Sequence, residues 1–124
     1  MDINVIVGGA SGLGRAIALQ LAKDPTCNLV LWDINEAKLR RFLRKLNEGR
    51  EGKDARHFGQ IVDVSCEDQV KAASKSLGNL VYVIGNAGIC NGKSFYELDG
   101  SEFETTIRVN FLHNVYLTRH LYNR

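Results

Sequence analysis

Residues 4–14 read Asn-Val-Ile-Val-Gly-Gly-Ala-Ser-Gly-Leu-Gly, a short apolar run that breaks into a glycine-rich turn and leads into a helical pattern. Glycines at positions 8, 12 and 14 allow a tight turn, a close approach of the backbone to a pyrophosphate, and packing of the helix against the strand. The free N–H groups at the start of that helix can bind phosphate oxygens. The stretch therefore predicts a phosphate-binding loop formed by Gly8, Ser11, Gly12, Leu13 and Gly14. Surface loops also accumulate glycine, so the rest of the chain has to supply the context.

Composition and charge narrow the class of protein. The 124 residues are 44% hydrophobic and 24% charged, with a single proline, which is typical of one globular domain spanning 1–124. The formal net charge of +2 is too small to argue for a polyanionic partner, so we expect no nucleic acid. No apolar stretch is long enough to cross a bilayer, and no signal peptide fits before the first strand. We expect a cytoplasmic protein, with membrane association only if a segment precedes Met1.

Residues that could bind metals or form disulfides are few and scattered: Cys27, Cys66, Cys90, His57, His113 and His120. An odd number of widely spaced cysteines indicates neither a disulfide framework nor a zinc site, so we expect reduced, mostly buried thiols. The histidines lack companions at metal-ligand spacing, and the last two are expected on helix surfaces. No metal site is therefore predicted. The basic residues between 38 and 45 interleave with apolar ones at helical spacing, which predicts a solvated helix face.

Strand and helix patterns alternate along the chain. Strands are predicted at 4–7, 28–33, 57–64 and 80–84, with helices following the glycine turn, at 36–46, from about 67 to 77, and from 101 onward, and with a polar loop at 47–53. Capping boxes are predicted at Ser65 with Asp68 and at Ser101 with Glu104. The last helix carries an apolar stripe of Phe103, Ile107, Phe111 and Val115. The order βαβαβαβα favours an α/β fold, a doubly wound parallel sheet whose ligands bind beyond the carboxyl ends of the strands.

An acidic residue ends the second predicted strand. Asp33 follows Gly14 by 19 positions, where a carboxylate can accept hydrogen bonds from both hydroxyls of an adenosine ribose. It would repel a ribose 2′-phosphate, and neither position 11 nor position 34 carries a basic residue that could neutralise one. These residues favour NAD(H) over NADP(H). The structural alternative is that Asp33 caps the helix that follows.

Four separate motifs together resemble the short-chain dehydrogenase/reductase family. They are Gly8-x-x-x-Gly12-x-Gly14 with Asp33, the pair Asp63-Val64, the cluster Asn86-Ala87-Gly88, and Asn110. The resemblance covers the whole chain but only the amino-terminal half of the family's usual domain, so it implies a Rossmann-like sheet truncated before the later strands. It also implies that Asp63 and Val64 flank the adenine ring, and that Asn86, Ala87 and Gly88 line the adenosine side of the cleft and steady the sheet.

The family resemblance also assigns a catalytic role and shows two mild departures. Asn110 matches the asparagine that holds a water in the family's proton relay. Asp63 could instead simply end a strand, Asn86 could be a turn residue, and Asn110 could be packed at a helix bend.

Val7 replaces a frequent threonine, and Gly85 replaces the first asparagine of the usual Asn-Asn-Ala-Gly. Each change removes a side-chain hydrogen bond, so we expect weaker cofactor binding than in typical members.

A third departure concerns catalysis. Family members use a serine and a Tyr-x-x-x-Lys pair beyond the helix that carries the Asn110 match, and these have no counterpart among the 124 residues. The resemblance therefore implies an NAD-dependent oxidoreductase that interconverts an alcohol and a carbonyl, present here as its cofactor-binding part and inactive alone. The segments 29–35 and 86–89 look like members that act on retinoids and steroids, which suggests a small lipophilic alcohol or ketone as substrate.

Other functions fit parts of the sequence. A non-catalytic dinucleotide-binding or interaction module would also keep the glycine turn and lack the catalytic residues. A sheet domain that binds S-adenosylmethionine shares the acidic residue after the second strand, although Asn86-Ala87-Gly88 and Asn110 speak against it. Family members are commonly oligomers, so a homo-oligomer is possible. An unpaired fourth strand rich in Val and Ile would invite association.

Overall fold

The computed structural model describes residues 1–50 and 56–122, and it contains a parallel four-stranded sheet with helices on both faces. The strands are β1 (Asp2–Val7), β2 (Leu29–Asp33), β3 (His57–Ile61) and β4 (Asn79–Gly85). The helices are α1 (Gly12–Leu21), α2 (Glu36–Leu46), α3 (Glu67–Ser74), α4 (Gly100–Ile107) and α5 (His113–Leu121). A 3-10 turn at Phe95–Glu97 precedes α4, and a π-helical segment at Arg108–Leu112 joins α4 to α5. The predicted element order is confirmed; part of the predicted loop at 47–53 lies outside the described residues.

The strand order places the glycine-rich turn at the centre of the sheet. The order is β3-β2-β1-β4, and every neighbouring pair is parallel. Val7, at the end of β1, pairs with Trp32 on one side and Gly85 on the other. The chain moves outward from β1 to β3 and then returns to the opposite side of β1. The order thus reverses between β1 and β4, which is where open parallel sheets bind ligands.

Two apolar layers cover the faces of the sheet. Alternate residues of the strands point to opposite faces, so the nearly continuous apolar run in β2 supplies both layers. One layer joins Val5, Val30 and Trp32 to Val70 of α3 and to α5. The other joins Ile6, Leu29 and Leu31 to α1 and α2. The prediction of a β2 strand buried on both faces is confirmed, since residues 29–32 are all buried.

The predicted boundaries are wrong after β3. Strand β3 ends at Ile61 rather than residue 64, because the Asp63 carboxylate accepts hydrogen bonds from the Ser65 N–H at 3.0 Å and the Ser65 hydroxyl at 2.6 Å. That turn also uses the serine that was predicted to cap α3. The N-cap of α3 is instead Cys66, and the Ser65–Asp68 capping box is not formed.

The last helix differs most from its prediction. Its capping box consists of Asp99 and Glu102, two residues before the predicted pair, and the Asp99 carboxylate accepts from the Glu102 N–H at 2.8 Å. The wider π-helical turn then rotates the residues that follow. The following helix buries His113, Leu117 and Leu121, whereas Phe111 and Val115 of the predicted stripe are exposed. Ile107, at the end of α4, is exposed as well.

Several smaller predictions can also be compared with the structure. His113 is buried rather than on the helix surface, and its Nδ1–H donates to the Val109 carbonyl. The three cysteines are free thiols, but Cys90 is exposed. Within 1–50 and 56–122 there is no group of three or more metal-ligating side chains, and no helix has the length and apolar character needed to cross a membrane. Strand β4 pairs with β1 alone, so its outer edge is unpaired among the described residues.

Candidate functional site

A cleft of about 390 Å³ opens at the carboxyl ends of β1, β2 and β4. It brings together ten of the twelve site residues predicted from the sequence: Gly8, Ser11, Gly12, Leu13, Asp33, Asp63, Val64, Asn86, Ala87 and Gly88. The other two contact residues of its wall: Gly14 packs against Gly8, and Asn110 is hydrogen-bonded to Ile89. The sequence motifs therefore converge on one site, at the position that the strand order predicts.

The glycine-rich loop depends on its glycines for backbone reasons. Gly8 has a φ of +71° and Gly12 a φ of +54°, a region that side chains disfavour. A Cβ at Gly14 would overlap the Gly8 carbonyl oxygen and lie 2.6 Å from the Asn86 Nδ2. The loop is fixed to β2 because the Gly8 N–H donates to the Trp32 carbonyl at 2.8 Å. These contacts hold the first turn of α1 close to β1 and β4.

The amino end of α1 is open to a ligand. The Ser11 side chain stands at the N-cap position, but it makes no capping hydrogen bond within the described chain. The N–H groups of the first turn are therefore left for an external acceptor. A Cβ at Gly12 would meet no described atom within 4 Å, so the backbone here can be approached closely from the cleft. This cradle fits the pyrophosphate of a dinucleotide.

Asp33 is held in the cleft by two main-chain donors. The Ala10 N–H donates to Oδ2 at 3.0 Å, and the Asn35 N–H donates to Oδ1 at 2.9 Å. The helix that follows is capped by Asn35, whose side chain accepts from the Lys38 N–H at 3.0 Å. The alternative that Asp33 caps α2 is therefore wrong. Its carboxylate is instead oriented beside the glycine-rich loop.

Asp63 and Val64 form the wall after β3. The Asp63 N–H donates to Gln69 Oε1 at 2.8 Å, which ties this turn to the start of α3. Because Oδ1 of Asp63 accepts from Ser65, the carboxylate has a fixed orientation. Val64 is buried and belongs to the core cluster beneath the cleft. Asp63 thus shapes the turn in addition to lining the cleft.

Asn86 joins the loop after β4 to the glycine-rich loop. Its Nδ2 donates to the Gly8 carbonyl at 3.2 Å, across the point where the strand order reverses. Gly85, which precedes Asn86, leaves no room for a larger side chain. A Cβ at Gly85 would overlap Asn114 Oδ1 and lie 3.2 Å from His113 Nε2, so these two α5 side chains occupy the space of the asparagine that the family usually has there.

Asn110 clamps the loop that carries Gly88. Its Oδ1 accepts from the Ile89 N–H at 2.7 Å, and its Nδ2 donates to the Ile89 carbonyl at 2.8 Å. Asn110 lies in the π-helical segment, so it sits at an irregularity of the helix as the packing alternative supposed. Its neighbour Val109 and its partner Ile89 line the cleft. The side chain therefore positions the part of the cleft wall that contains Ile89.

Sequence reasoning missed the apolar lining of the cleft. Six further residues contribute to it: Val7, Trp32, Ile34, Val62, Ile89 and Val109. Most of them directly adjoin a predicted site residue at the end of a strand, and that position is the signal that could have identified them. Leu13 lines the cleft and is 68% exposed. Both exposed apolar residues, Leu13 and Ile34, offer surface to a ring system.

A basic groove adjoins the cleft on the outer side of the glycine-rich loop. This groove of about 410 Å³ shares Ser11 and Gly12 with the cleft, and four cations line it: Arg15, Lys38, Arg41 and Lys45. The Arg15 guanidinium is fixed 4.8 Å above the ring of Phe42. The charged residues that line the cleft within the described chain are, by contrast, the carboxylates Asp33 and Asp63. The sequence predicted a solvated helix face at 38–45 and did not place it beside the loop.

Comparison with known proteins identifies the family. Residues 2–124 match the short chain dehydrogenase family. The human epidermal retinol dehydrogenase 2 is 36% identical over 117 residues, which cover 89% of this chain and 36% of the relative. The estradiol 17-beta-dehydrogenase 11 of Macaca fascicularis is 28% identical over 122 residues, which cover 95% of this chain and 39% of the relative. Retinol and steroid dehydrogenases are thus among the relatives, as the sequence motifs indicated.

A solved structure shows the same fold. An alcohol dehydrogenase from the archaeon Thermococcus sibiricus, complexed with 5-hydroxy-NADP, superimposes with a TM-score of 0.84 and is 32% identical. The match covers 98% of this chain and 52% of that chain. The chain spans little more than a third of the length of the curated relatives described above. Since the family match extends over nearly every residue, the chain belongs to the short-chain dehydrogenase/reductase family.

Proposed function

We propose that this chain is the cofactor-binding part of an NAD-dependent oxidoreductase that interconverts an alcohol and a carbonyl on a retinoid- or steroid-like lipophilic substrate. The observation that carries the proposal is the placement of the Asp33 carboxylate, held by the Ala10 N–H at 3.0 Å, in the same cleft as the open end of α1. Main-chain donors for a pyrophosphate and a carboxylate acceptor for ribose hydroxyls in one cleft suit an adenine dinucleotide.

The choice of NAD over NADP rests on the fixed carboxylate. Two main-chain hydrogen bonds restrict rotation of the Asp33 side chain, so it cannot easily turn away from a bound ribose. A ribose 2′-phosphate beside this carboxylate would bring like charges together. The Thermococcus neighbour was solved with an NADP analogue, so family membership alone does not choose between the cofactors. The side chain at position 33 supports NAD.

The remaining cleft residues have roles that follow from their positions. We propose that Gly8, Ser11, Gly12, Leu13 and Gly14 hold the pyrophosphate. Asp63 and Val64 flank the adenine, and residues 86–88 line the adenosine side. When bound, the nicotinamide exchanges a hydride with the substrate carbon.

The substrate and the catalytic step are proposals for the whole protein. The retinol and steroid relatives support a lipophilic alcohol or ketone. Asn110, whose side chain fixes Ile89, would hold the water of the proton relay. Because the Ser and Tyr-x-x-x-Lys groups have no counterpart in residues 1–124, we propose that this chain binds cofactor without turnover. We also propose a cytoplasmic location and assembly with a second copy.

Tryptophan fluorescence tests cofactor binding directly. Trp32 is the single tryptophan of the chain and lines the cleft, so its emission should be quenched by the nicotinamide of bound NADH. Titration of the chain with NADH should give saturable quenching, accompanied by enhanced nicotinamide fluorescence. A Gly14→Ala variant should lose both signals. Quenching that rises linearly without saturation, to the same extent in the variant, would contradict the proposal.

A further inference from the structure

The lining of the cleft presents an electrostatic problem for its proposed ligand. A dinucleotide carries a dianionic pyrophosphate, yet the charged side chains that line the cleft in the described chain are Asp33 and Asp63. Like charges disfavour such an approach. The partial positive charge at the amino end of α1 acts mainly within its first turn, so it holds a phosphate that has arrived better than it attracts a distant one.

The basic groove supplies the missing attraction. Its cations are Arg15, Lys38, Arg41 and Lys45, and no carboxylate lines it within the described part of the chain. The groove meets the cleft at Ser11 and Gly12, where the pyrophosphate would be received. A groove lined by one sign of charge focuses the field and raises the local concentration of an oppositely charged ligand.

The opposite side of α2 provides a natural comparison. Arg40 and Arg44 lie on the same helix but line a separate groove with His57 and Phe58, away from the glycine-rich loop. Arg40 is also paired with Glu36, with 2.6 Å between its Nη2 and the Glu36 Oε1. The pairs Arg41/Lys45 and Arg40/Arg44 each carry two formal positive charges at exposed positions of α2, but only the first pair lines the groove beside the glycine-rich loop.

We infer that Arg15, Lys38, Arg41 and Lys45 steer the anionic dinucleotide into the cleft and set its rate of association. The inference rests on the proposed binding of NAD(H) in that cleft. The four cations act before docking, at a distance, so they accelerate arrival and leave the lifetime of the complex nearly unchanged.

Stopped-flow quenching of Trp32 by NADH tests this role. NADH is a suitable probe because it lacks the 2′-phosphate, which could contact these cations directly. In about 0.1 M salt, where the Debye length is about 10 Å and charges on the far side of α2 are partly screened, the double variant Arg41→Gln/Lys45→Gln should bind about threefold more slowly than the unmodified chain, with an unchanged dissociation rate. The difference should shrink to nothing above roughly 0.5 M salt, where the Debye length is only a few ångströms. The control variant Arg40→Gln/Arg44→Gln removes two charges from the same helix and should slow association far less.

Three results would overturn the inference. They are an unchanged association rate in the Arg41/Lys45 variant, an equal decrease in the Arg40/Arg44 variant, and an effect confined to dissociation, which indicates direct contact. If the unmodified chain shows no saturable NADH binding at all, the proposed function fails and this inference fails with it. The Trp32 signal at equilibrium distinguishes that case from the other three.

Discussion

The Ala10 N–H donates to Asp33 Oδ2 at 3.0 Å, and this bond joins the glycine-rich loop after β1 to the carboxyl end of β2. The loop that would receive the pyrophosphate and the carboxylate that would receive the ribose are therefore parts of one hydrogen-bonded unit. A change at Asp33 acts on both the charge of the cleft and the geometry of the loop. Two substitutions separate these effects.

Asp33→Asn keeps an oxygen acceptor for the Ala10 N–H but removes the charge. We expect its dissociation constant for NADH to rise about tenfold, because hydrogen bonds from the ribose hydroxyls to a carboxylate are stronger than those to an amide. Its affinity for NADPH should increase, since the repulsion of the 2′-phosphate is lost. Asp33→Ala should weaken NADH binding further because the loop also loses its acceptor. Fluorescence titrations with both nucleotides measure these changes. The control is Asp68→Asn, which removes the charge of an exposed carboxylate on α3. An unaltered preference between NADH and NADPH in Asp33→Asn would contradict the assignment of Asp33.

Gly14→Ala tests the packing of the loop. The added Cβ overlaps the Gly8 carbonyl oxygen and lies 2.6 Å from Asn86 Nδ2, so backbone must move. We expect the free energy of unfolding to fall by about 1–3 kcal/mol, in the range of overpacked cores. Gly100→Ala is the matched control, because that glycine begins α4 and its Cβ would meet no described atom within 4 Å. Denaturant unfolding of both variants provides the measurement, and equal stability of the two would show that the loop is not tightly packed.

Asn110→Ala removes both hydrogen bonds to Ile89. We expect a loss of about 1 kcal/mol in stability, because the N–H and C=O of Ile89 exchange two side-chain hydrogen bonds for water at this exposed position. The loop after β4 should also become more sensitive to limited proteolysis. Asn91→Ala removes a single exposed bond to Thr106 and should change stability by less than about 0.5 kcal/mol. Identical cleavage rates in the two variants would show that Asn110 does not hold the loop.

The buried His57 should make the free energy of unfolding depend on pH. Burial, followed by the positive charges of Arg50 and Arg56, lowers the pKa of His57 below its usual value. The unfolded chain therefore binds a proton more readily, and the free energy of unfolding should fall as the pH drops below about 6.5 and level off beneath the folded pKa. His57→Gln should flatten this part of the curve in denaturant titrations between pH 7.5 and 5.

Glu102 affects the stability of the protein at a lower pH than His57 does. The pKa of Glu102 is lowered, chiefly by its hydrogen bond from Lys93, so its contribution is lost only as the pH falls below about 4.5. The two pH ranges are therefore separate. The same slope between pH 7.5 and 5 in His57→Gln and in the unmodified chain would contradict the assignment to His57.

The outer edge of β4, unpaired among the described residues, should cause copies of the chain to associate with one another. The strand carries no charge or proline, and Val81 and Tyr82 are 47% and 68% exposed. Unprotected apolar edges pair with other chains, and a lysine on the edge opposes this. We expect concentration-dependent association in sedimentation experiments, reduced at least tenfold by Val81→Lys. Tyr96→Lys, at a 95% exposed position in the 3-10 turn, should leave it unchanged. A monomeric unmodified chain would refute this expectation.

The sequence predicted the sheet and the cleft because both depend on local patterns. The apolar run of β2 and the glycine spacing after β1 each indicate their local structure without knowledge of distant residues. The ten cleft residues then converge because the carboxyl ends of parallel strands lie at one edge of the sheet. Family resemblance added the proposed roles of Asp63 and Asn110, which spacing alone does not provide.

The wrong predictions involve competition between neighbouring groups. Ser65 could cap α3 or bond to Asp63, and the structure shows the second. Asp99 and Ser101 both have a glutamate three residues on, and the Asp99 box forms. The π-helical turn at Arg108–Leu112 has no signature in a 3.6-residue period, so the buried face that includes His113 could not be predicted. The basic groove depends on the packing of α2 beside the glycine-rich loop, which is a tertiary contact.

The most direct test of the proposed role of Asp33 compares the binding of NADH and NADPH to the unmodified chain. Equilibrium titrations with NADH and NADPH, followed through Trp32 quenching and nicotinamide emission, give both dissociation constants under the same salt conditions. We expect saturable binding of both cofactors, with NADH bound at least tenfold more tightly, because the fixed Asp33 carboxylate accepts the ribose hydroxyls and repels a 2′-phosphate. Equal or tighter binding of NADPH would contradict this role.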